Sequence, residues 1–422
     1  MTNSEHIARG FTRKGLILIV ALMPFHAFLS VWLGHVLGHQ AAFQAWKEAV
    51  TVLLTAATAY ALWRHPSGRA TLRRPLPMAV AAFAGLALIV TALSRPGATA
   101  ALTGAKIDLE FLLLFVIAYL AASDRLTRTL TKVVIRSSVV AATAAVILGT
   151  ILPPDFLDAF GYGAATILSH AYIGTQSIIR TPGTFGGPNQ LGAFMILPFC
   201  LILAASLKRW RWHYLPMLAV VGGACWLSYS RSAWIGLVAA GGVTLVTSTS
   251  WRKSAAIIGG LSVFGAIVGA LAVSIFNLRD NLLNLVVHGD FATGSTGQHA
   301  AALEQGLKLA GAHPWGMGLG TAGPATLTNV NSVVPENYYL QIAIETGWLG
   351  LALFAVINAL VAGKLWRARH ESAIATAMLG ALVGLAVANL FLHVWADSSI
   401  AFVFWILAGS LIGERIHHVH AN

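Results

Sequence analysis

The chain has 422 residues, of which 57% are hydrophobic and only 10% charged; its mean hydropathy is +0.74, whereas a soluble domain carries about a quarter of its residues charged. A soluble fold this apolar could not cover its own core, and disorder needs the opposite composition, so a polytopic membrane protein remains. The 27 Lys and Arg against 15 Asp and Glu give a formal net charge of +12, which is assigned to the cytoplasmic preference of Lys and Arg rather than to a nucleic-acid partner.

Apolar stretches of about 17–25 residues bounded by charge read as membrane spans. Twelve are found, at 15–37, 41–63, 78–94, 107–122, 137–152, 191–207, 214–227, 233–249, 254–276, 338–363, 372–393 and 398–413. They predict an all-α integral membrane protein forming a single polytopic domain over 1–422, with no internal repeat and no separate soluble domain. The first stretch follows Arg9, Arg13 and Lys14 and could mimic a signal peptide. It is too long, and no small-residue cleavage site follows closely, so a retained helix is expected. With the amino terminus inside, twenty Lys and Arg fall in cytoplasmic segments. Seven fall outside: Lys47, Arg95, Lys106, Arg180, Arg231, Arg279 and Lys308. This asymmetry predicts that both termini are cytoplasmic. Cys200 and Cys225 both sit in apolar runs and suggest neither a disulfide nor a metal site.

The outer cations oppose the topological rule and invite a functional reason. Three of them, Arg180, Arg279 and Lys308, lie in two long outer segments, 153–190 and 277–337, and connections of that length are often functional. In the first, Arg180-Thr181-Pro182-Gly183-Thr184-Phe185-Gly186-Gly187-Pro188-Asn189-Gln190 opens the sixth helix. Asn189 is positioned to cap that helix, and an Arg beside a helix start is a ready anion site. The second cluster, Ser228-Tyr229-Ser230-Arg231-Ser232, is a tight outer link; Arg suits a diphosphate because its planar fork donates bidentately. It could equally anchor a short turn by snorkelling.

In the 277–337 segment a helix is expected over Gln298–Ala312, starting near Ser295-Thr296, followed by the run His313-Pro314-Trp315-Gly316-Met317-Gly318-Leu319-Gly320. The segment closes on Pro335-Glu336-Asn337-Tyr338-Tyr339-Leu340-Gln341, with Glu345-Thr346-Gly347 beyond it. Glu345 lies nine residues past Glu336, roughly 13 Å along a helix, within the membrane depth. It is either functional or buried against a Lys or Arg. Of His288, His299 and His313, His299 is the best candidate base. Lys47 with Glu48, and Lys106 with Asp108 and Glu110, read either as structural ion pairs or as cavity lining. No P-loop, dinucleotide fingerprint, nucleophile elbow or zinc-protease signature is found. A transporter for a lipid-linked anion stays open on composition, although its charges would be expected deeper in several helices.

Together the clusters resemble the family of O-antigen ligases and O-antigen or exopolysaccharide polymerases. The likeness rests on Arg180 with Gly183-Thr184-Phe185 and Pro188-Asn189, on Ser228-Tyr229-Ser230-Arg231, on His313-Pro314 with Gly316, Gly318 and Gly320, and on Glu336-Asn337-Tyr338-Tyr339-Leu340 with Glu345-Thr346-Gly347. It implies a GT-C-like helical fold in the bacterial inner membrane. The implied reaction is transfer of a glycan from an undecaprenyl-diphosphate carrier at the periplasmic face, with no metal, cofactor or nucleotide sugar. Implied partners are the lipid-linked donor, a glycan or lipid A–core acceptor, membrane lipids and a chain-length regulator. The family's donor-binding arginines match Arg180 and Arg231, with Arg279 as a third cation; Asn189, Ser230, Asn337, Tyr338 and Tyr339 are the accompanying contacts. Where the ligase branch has His-Asn this chain has Glu336-Asn337. That departure resembles the polymerase side, makes Glu336 the expected base and leaves His299 as a displaced alternative.

Overall fold

Hydrocarbon offers a peptide group no hydrogen-bond partner, so a chain crossing it must close its backbone bonds internally. The computed structural model describes residues 3–64, 69–173, 178–250, 252, 295–327 and 333–419, and is built almost wholly of helices. In order these are α1 (Asn3–Leu22), α2 (His26–Leu37), α3 (Gln40–Gln44), α4 (Trp46–Arg64), α5 (Arg69–Leu72), α6 (Pro75–Ser94), α7 (Ala98–Leu120) and α8 (Asp124–Thr150). A short hairpin of β1 (Ala171–Ile173) and β2 (Ile178–Arg180) follows, antiparallel, with Ala171 opposite Arg180. Then come α9 (Pro188–Phe194), α10 (Ile196–Lys208), α11 (Tyr214–Leu227), α12 (Arg231–Ser248), α13 (Ser295–Ala312), α14 (Tyr338–Ala368), α15 (Ala373–Ala388) and α16 (Ser398–Val419).

Eleven of the twelve anticipated spans coincide with these helices; the stretch 254–276 lies outside the described residues. Six helical stretches are long and apolar enough to cross a membrane unaided: Ile7–Leu37, Pro75–Ser94, Asp124–Thr150, Pro188–Lys208, Tyr338–Ala368 and Ser398–Arg415. The chain is therefore an all-α, multi-pass membrane protein. The first span is broken by a 3-10 turn at Met23–Phe25, where Pro24 cannot continue the α-helical ladder. The helix expected after Ser295-Thr296 begins at Ser295.

Two contacts fix the frame. Phe111 and Phe115 of α7 meet Trp405 of α16 at ring distances of 5.5 and 5.6 Å, and all three side chains are buried. Such edge-on and tilted arrangements suit the aromatic quadrupole. The second contact needs small residues. Along α12 and α15, Gly236 and Ala240 face Gly380 and Gly384 so closely that a Cβ on Gly384 would lie 2.4 Å from the Gly236 carbonyl oxygen, and one on Gly236 would lie 2.7 Å from the Gly384 carbonyl. In lipid, where apolar side chains gain little from leaving the solvent, such backbone contact is what holds two helices together.

Gly384→Leu is therefore expected to force α12 and α15 apart and to lower stability by about 1–3 kcal/mol. Thermal unfolding of the detergent-purified protein measures this, and an unchanged midpoint would contradict the close approach.

Candidate functional site

Arg180 ends β2, beside the tight turn between α11 and α12. Its Nε donates to the Ser228 carbonyl oxygen at 2.9 Å and its terminal nitrogen to Asn189 Oδ1 at 2.6 Å. Both acceptors are neutral, so they orient the guanidinium without cancelling its charge. Burial, and then the nearby charge of Arg231, hold the Arg180 pKa below the usual arginine value. The loop behind it is pinned: Thr184 donates to the Pro24 carbonyl at 2.6 Å, and Phe185 is buried against Phe194, ring to ring at 4.8 Å.

The expectation that Asn189 caps the following helix is corrected here. Pro188 occupies the first helical position and Gly187 is the cap, which leaves the Asn189 oxygen to Arg180. Asn189 thus aims the cation rather than the helix.

The Ser228–Ser232 turn is built from its own hydroxyls. Ser228 donates its hydroxyl to the Cys225 carbonyl at 2.6 Å and accepts the Ser230 N–H at 3.2 Å; Ser230 and Ser232 hydroxyls are 3.2 Å apart. Tyr229 between them has φ of 47°, a strained conformation for a non-glycine residue. Arg231 is the first residue of α12. A helix start carries positive partial charge, and Arg231 is near enough for its charge to act on Arg180. Two guanidinium groups and a helix amino terminus therefore share one place, an arrangement that suits an anion.

Glu336 stands immediately before α14 and also has a positive φ, 49°. The residues after it lock this helix start to the carboxyl end of α15 and the residues that follow it. Asn337 Oδ1 accepts the Leu340 N–H at 3.1 Å and its Nδ2 donates to the Leu390 carbonyl at 3.0 Å. The Tyr338 N–H donates to the Asn389 carbonyl at 3.0 Å, and the Tyr339 hydroxyl to the Ala386 carbonyl at 3.0 Å. A Cβ on Gly236 would come within 3.4 Å of Ala388, so the end of α15 that holds Asn337 and Tyr338 lies beside the beginning of α12 that carries Arg231. The geometry commits Asn337 and Tyr338 to holding the helix, since both are buried with these bonds made.

Glu345 is fully buried, but its partner is not the Lys or Arg that its sequence position suggested. It lies beside the Asp108 carboxyl of α7, and its Oε1 accepts the Ala322 N–H at 3.2 Å. Asp108 accepts from the Tyr338 hydroxyl at 2.9 Å and from Gln341 Nε2 at 3.2 Å. Above this network lies the glycine run. Gly347 breaks α14 with φ of 73°, and the strand-like run after His313 fills the gap: Met317 and Gly318 N–H donate to the Ile344 and Glu345 carbonyls at 2.8 and 2.9 Å, and Trp348 N–H to the Pro314 carbonyl at 3.1 Å. Any side chain on Gly316 would strike the Gly347 backbone at 2.6 Å.

Lys106 is also reassigned. It pairs with Glu48 of α4, which simultaneously binds Lys47, rather than with Asp108 or Glu110. His299 falls in the first turns of α13, with its side chain outside the described residues, as is all of Arg279 and His288. His313 ends α13 exposed. Sequence reasoning missed Asn389, whose buried side chain accepts the Val394 N–H at 3.0 Å and whose carbonyl holds α14. A lone Asn at the end of an apolar helix was the available signal.

Residues 216–355 match the family model described as O-antigen ligase. The similarity is to the O-antigen ligase and polymerase family. The matched stretch takes in Arg231, the glycine run and Glu336, and leaves Arg180 and Asn189 outside. A curated O-antigen polymerase of Salmonella muenchen is 26% identical over 221 residues, covering 49% of this chain and 53% of that protein. A curated O-antigen ligase of Pseudomonas aeruginosa PAO1 is 27% identical over 218 residues, covering 47% of this chain and 50% of that protein. The chain thus spans about half the length of these relatives. The resemblance drawn from the outer-face motifs is borne out by these matches.

Tyr338→Phe deletes a donor to Asp108 inside the bundle. It is expected to lower stability by about 1–3 kcal/mol, the cost of a buried acceptor left short, read as a fall in the unfolding midpoint. A midpoint equal to wild type would mean that the phenol does not hold α14 to α7.

Proposed function

We propose that the protein is a bacterial inner-membrane glycosyltransferase that polymerises undecaprenyl-diphosphate-linked glycan repeat units at the periplasmic face. The observation that carries this reading is the convergence of Arg180 and Arg231 at the start of α12, with Arg180 oriented by neutral oxygens. The proposal includes twelve spans in a GT-C-like layout, one polytopic domain and cytoplasmic termini.

In this reading the donor diphosphate sits at headgroup depth against Arg180 and Arg231. Their charge stabilises the diphosphate as it leaves the anomeric carbon. Glu336 takes the proton from the attacking acceptor hydroxyl, and direct displacement inverts the anomeric centre. Arg279 serves as a third cation and His299 as the alternative base. Ser230 and Tyr339 border the same face. A chain-length regulator is a further proposed partner.

A ligase reading, with lipid A–core as acceptor, is favoured by the description of the family model over 216–355. The Glu336-Asn337 pair favours the polymerase. Deletion of the gene separates them. Single repeat units in place of long surface chains support polymerisation; long chains retained on the carrier support ligation; normal amounts of both would remove the assignment.

Arg231→Ala is expected to lower transfer by roughly 10²–10³-fold while the protein still inserts, measured by polymer gel beside membrane immunoblotting. Glu336→Gln is expected to lower it by roughly 10²–10⁴-fold; normal turnover by that variant would shift the role of base to His299.

A further inference from the structure

At the end of α12 away from Arg231 the helices enclose a polar cavity of about 430 Å³, lined by Ser248, Ser250, Trp366, Arg369 and His370 among others. α12 runs from Arg231 to Ser248, roughly 26 Å at 1.5 Å per residue. The cavity is thus separated from the candidate site by nearly the thickness of a hydrocarbon core, about 30 Å. α14 gives the same measure independently. Trp348 and Trp366 are 45% and 50% exposed, and they lie eighteen residues apart, which is five helical turns and roughly 27 Å. Whole turns put both rings on one face, and the residues between them on that face, Ala352, Ala355, Ala359 and Gly363, are small, apolar and exposed. Tryptophans placed in this way mark the two water–hydrocarbon boundaries of a span, so Trp366 sets the cavity at headgroup depth.

The chemistry of the cavity is cationic. The Arg369 guanidinium lies 3.8 Å from the Trp366 ring centroid, close enough for a cation to stack on an indole. One of its terminal nitrogens donates to the Trp366 carbonyl at 2.6 Å, and the Arg369 carbonyl accepts the Thr376 hydroxyl at 2.9 Å. The group is held flat, with the rest of its planar fork at the cavity wall. Thr247 and Thr249 turn their hydroxyl protons to the Val243 and Leu245 carbonyls, closing the end of α12. Ser248 and His370 are exposed beside the fork. None of the described residues lining the cavity is acidic. From Lys364 to His370 the chain carries Lys364, Arg367 and Arg369 and no carboxylate; Glu371, next in line, is taken by Arg415 at 2.8 Å. Three cations exceed what the carboxyl ends of α12 and α14 neutralise, since each end carries only about half a negative charge.

We infer that this cavity binds the phosphodiester headgroup of an anionic phospholipid, in the leaflet opposite the candidate site. Depth selects the lipid over a dissolved anion, because a guanidinium stacked on an interfacial Trp stands at the level where lipid phosphates are concentrated. Charge selects an anionic lipid over a zwitterionic one, whose ammonium would meet the same cations. Val246, 56% exposed and also in the lining, lies on the hydrocarbon side of Ser248 and gives the acyl chains an apolar edge. The inference does not depend on the proposed glycosyl transfer.

The test is native mass spectrometry of the detergent-purified full-length protein, titrated with dioleoyl phosphatidylglycerol or with dioleoyl phosphatidylethanolamine. Phosphatidylglycerol is expected to be retained preferentially, and Arg369→Gln to weaken its retention roughly tenfold, as the loss of a charge-assisted bond would. Equal retention of the two lipids overturns the inference, because the contact would then be annular. So does unchanged retention by a folded Arg369→Gln. Displacement by an excess of inorganic phosphate also overturns it, since the occupant would then be a dissolved anion. If Arg369→Gln does not fold, the wild type decides: phosphatidylglycerol with a diazirine next to its headgroup is expected to label 246–250 and 366–370, and labelling confined to other segments, the Arg180 and Arg231 site included, sinks the cavity as a lipid site.

Discussion

The backbone-to-backbone contact between α12 and α15 governs the candidate site of this protein. Because Gly236 and Gly384 allow the two helices to touch, the first residue of α12 and the last residues of α15 are held at one level. Arg231 stands at the start of one, and Asn389 and Leu390, which hold Tyr338 and Asn337, follow directly on the other. A cation and a carboxylate separated by more than a hundred residues of chain are thus set by a contact that contains no charge. Helix association through small residues gives a precision that long side chains could not, because a backbone carbonyl has no rotamers.

A second constraint runs through α14. Its break at Gly347 frees carbonyls inside the bundle, and unpaired polar groups are costly at that depth. The glycine run after His313 supplies N–H donors to Ile344 and Glu345, and the Ala322 N–H reaches the Glu345 carboxyl. Two sequence motifs therefore form one structural unit: the run with Gly316 and Gly318 is a strap, and the Glu345-Thr346-Gly347 motif is what it straps.

Much of this was legible in the residues. Hydropathy alone located eleven helical stretches among the described residues, and the few cations expected on the outer side included Arg180 and Arg231. Their convergence across the α11–α12 turn is a tertiary fact, yet the suspicion rested on a sound principle, that a charge on the unfavoured side needs a reason. What sequence could not supply was partnership. Asn189 looked like a cap because Asn before a helix usually is one, but Pro188 had already taken the first position. Glu345 read either as functional or as buried against a Lys or Arg, and its neighbour proved to be another acid, Asp108 of α7. Lys106, one turn before Glu110 on its own helix, turned to Glu48 instead. Local spacing shows which side chains can meet within one helix; it does not show which helix lies opposite.

The arrangement around Asp108 also bears on how the chain is made. α7 carries Lys106, Asp108 and Glu110 and is not among the helices apolar enough to cross a membrane unaided. The groups that donate to Asp108, Tyr338 and Gln341, belong to α14 and arrive late in synthesis. Until α14 has been made, Asp108 lacks these donors, although α4 with Glu48 and Thr51 is already present for its neighbours. The network around Asp108 is thereby tied to the synthesis of α14, and a chain that stops before it leaves that carboxyl without the phenol and the amide that bond it.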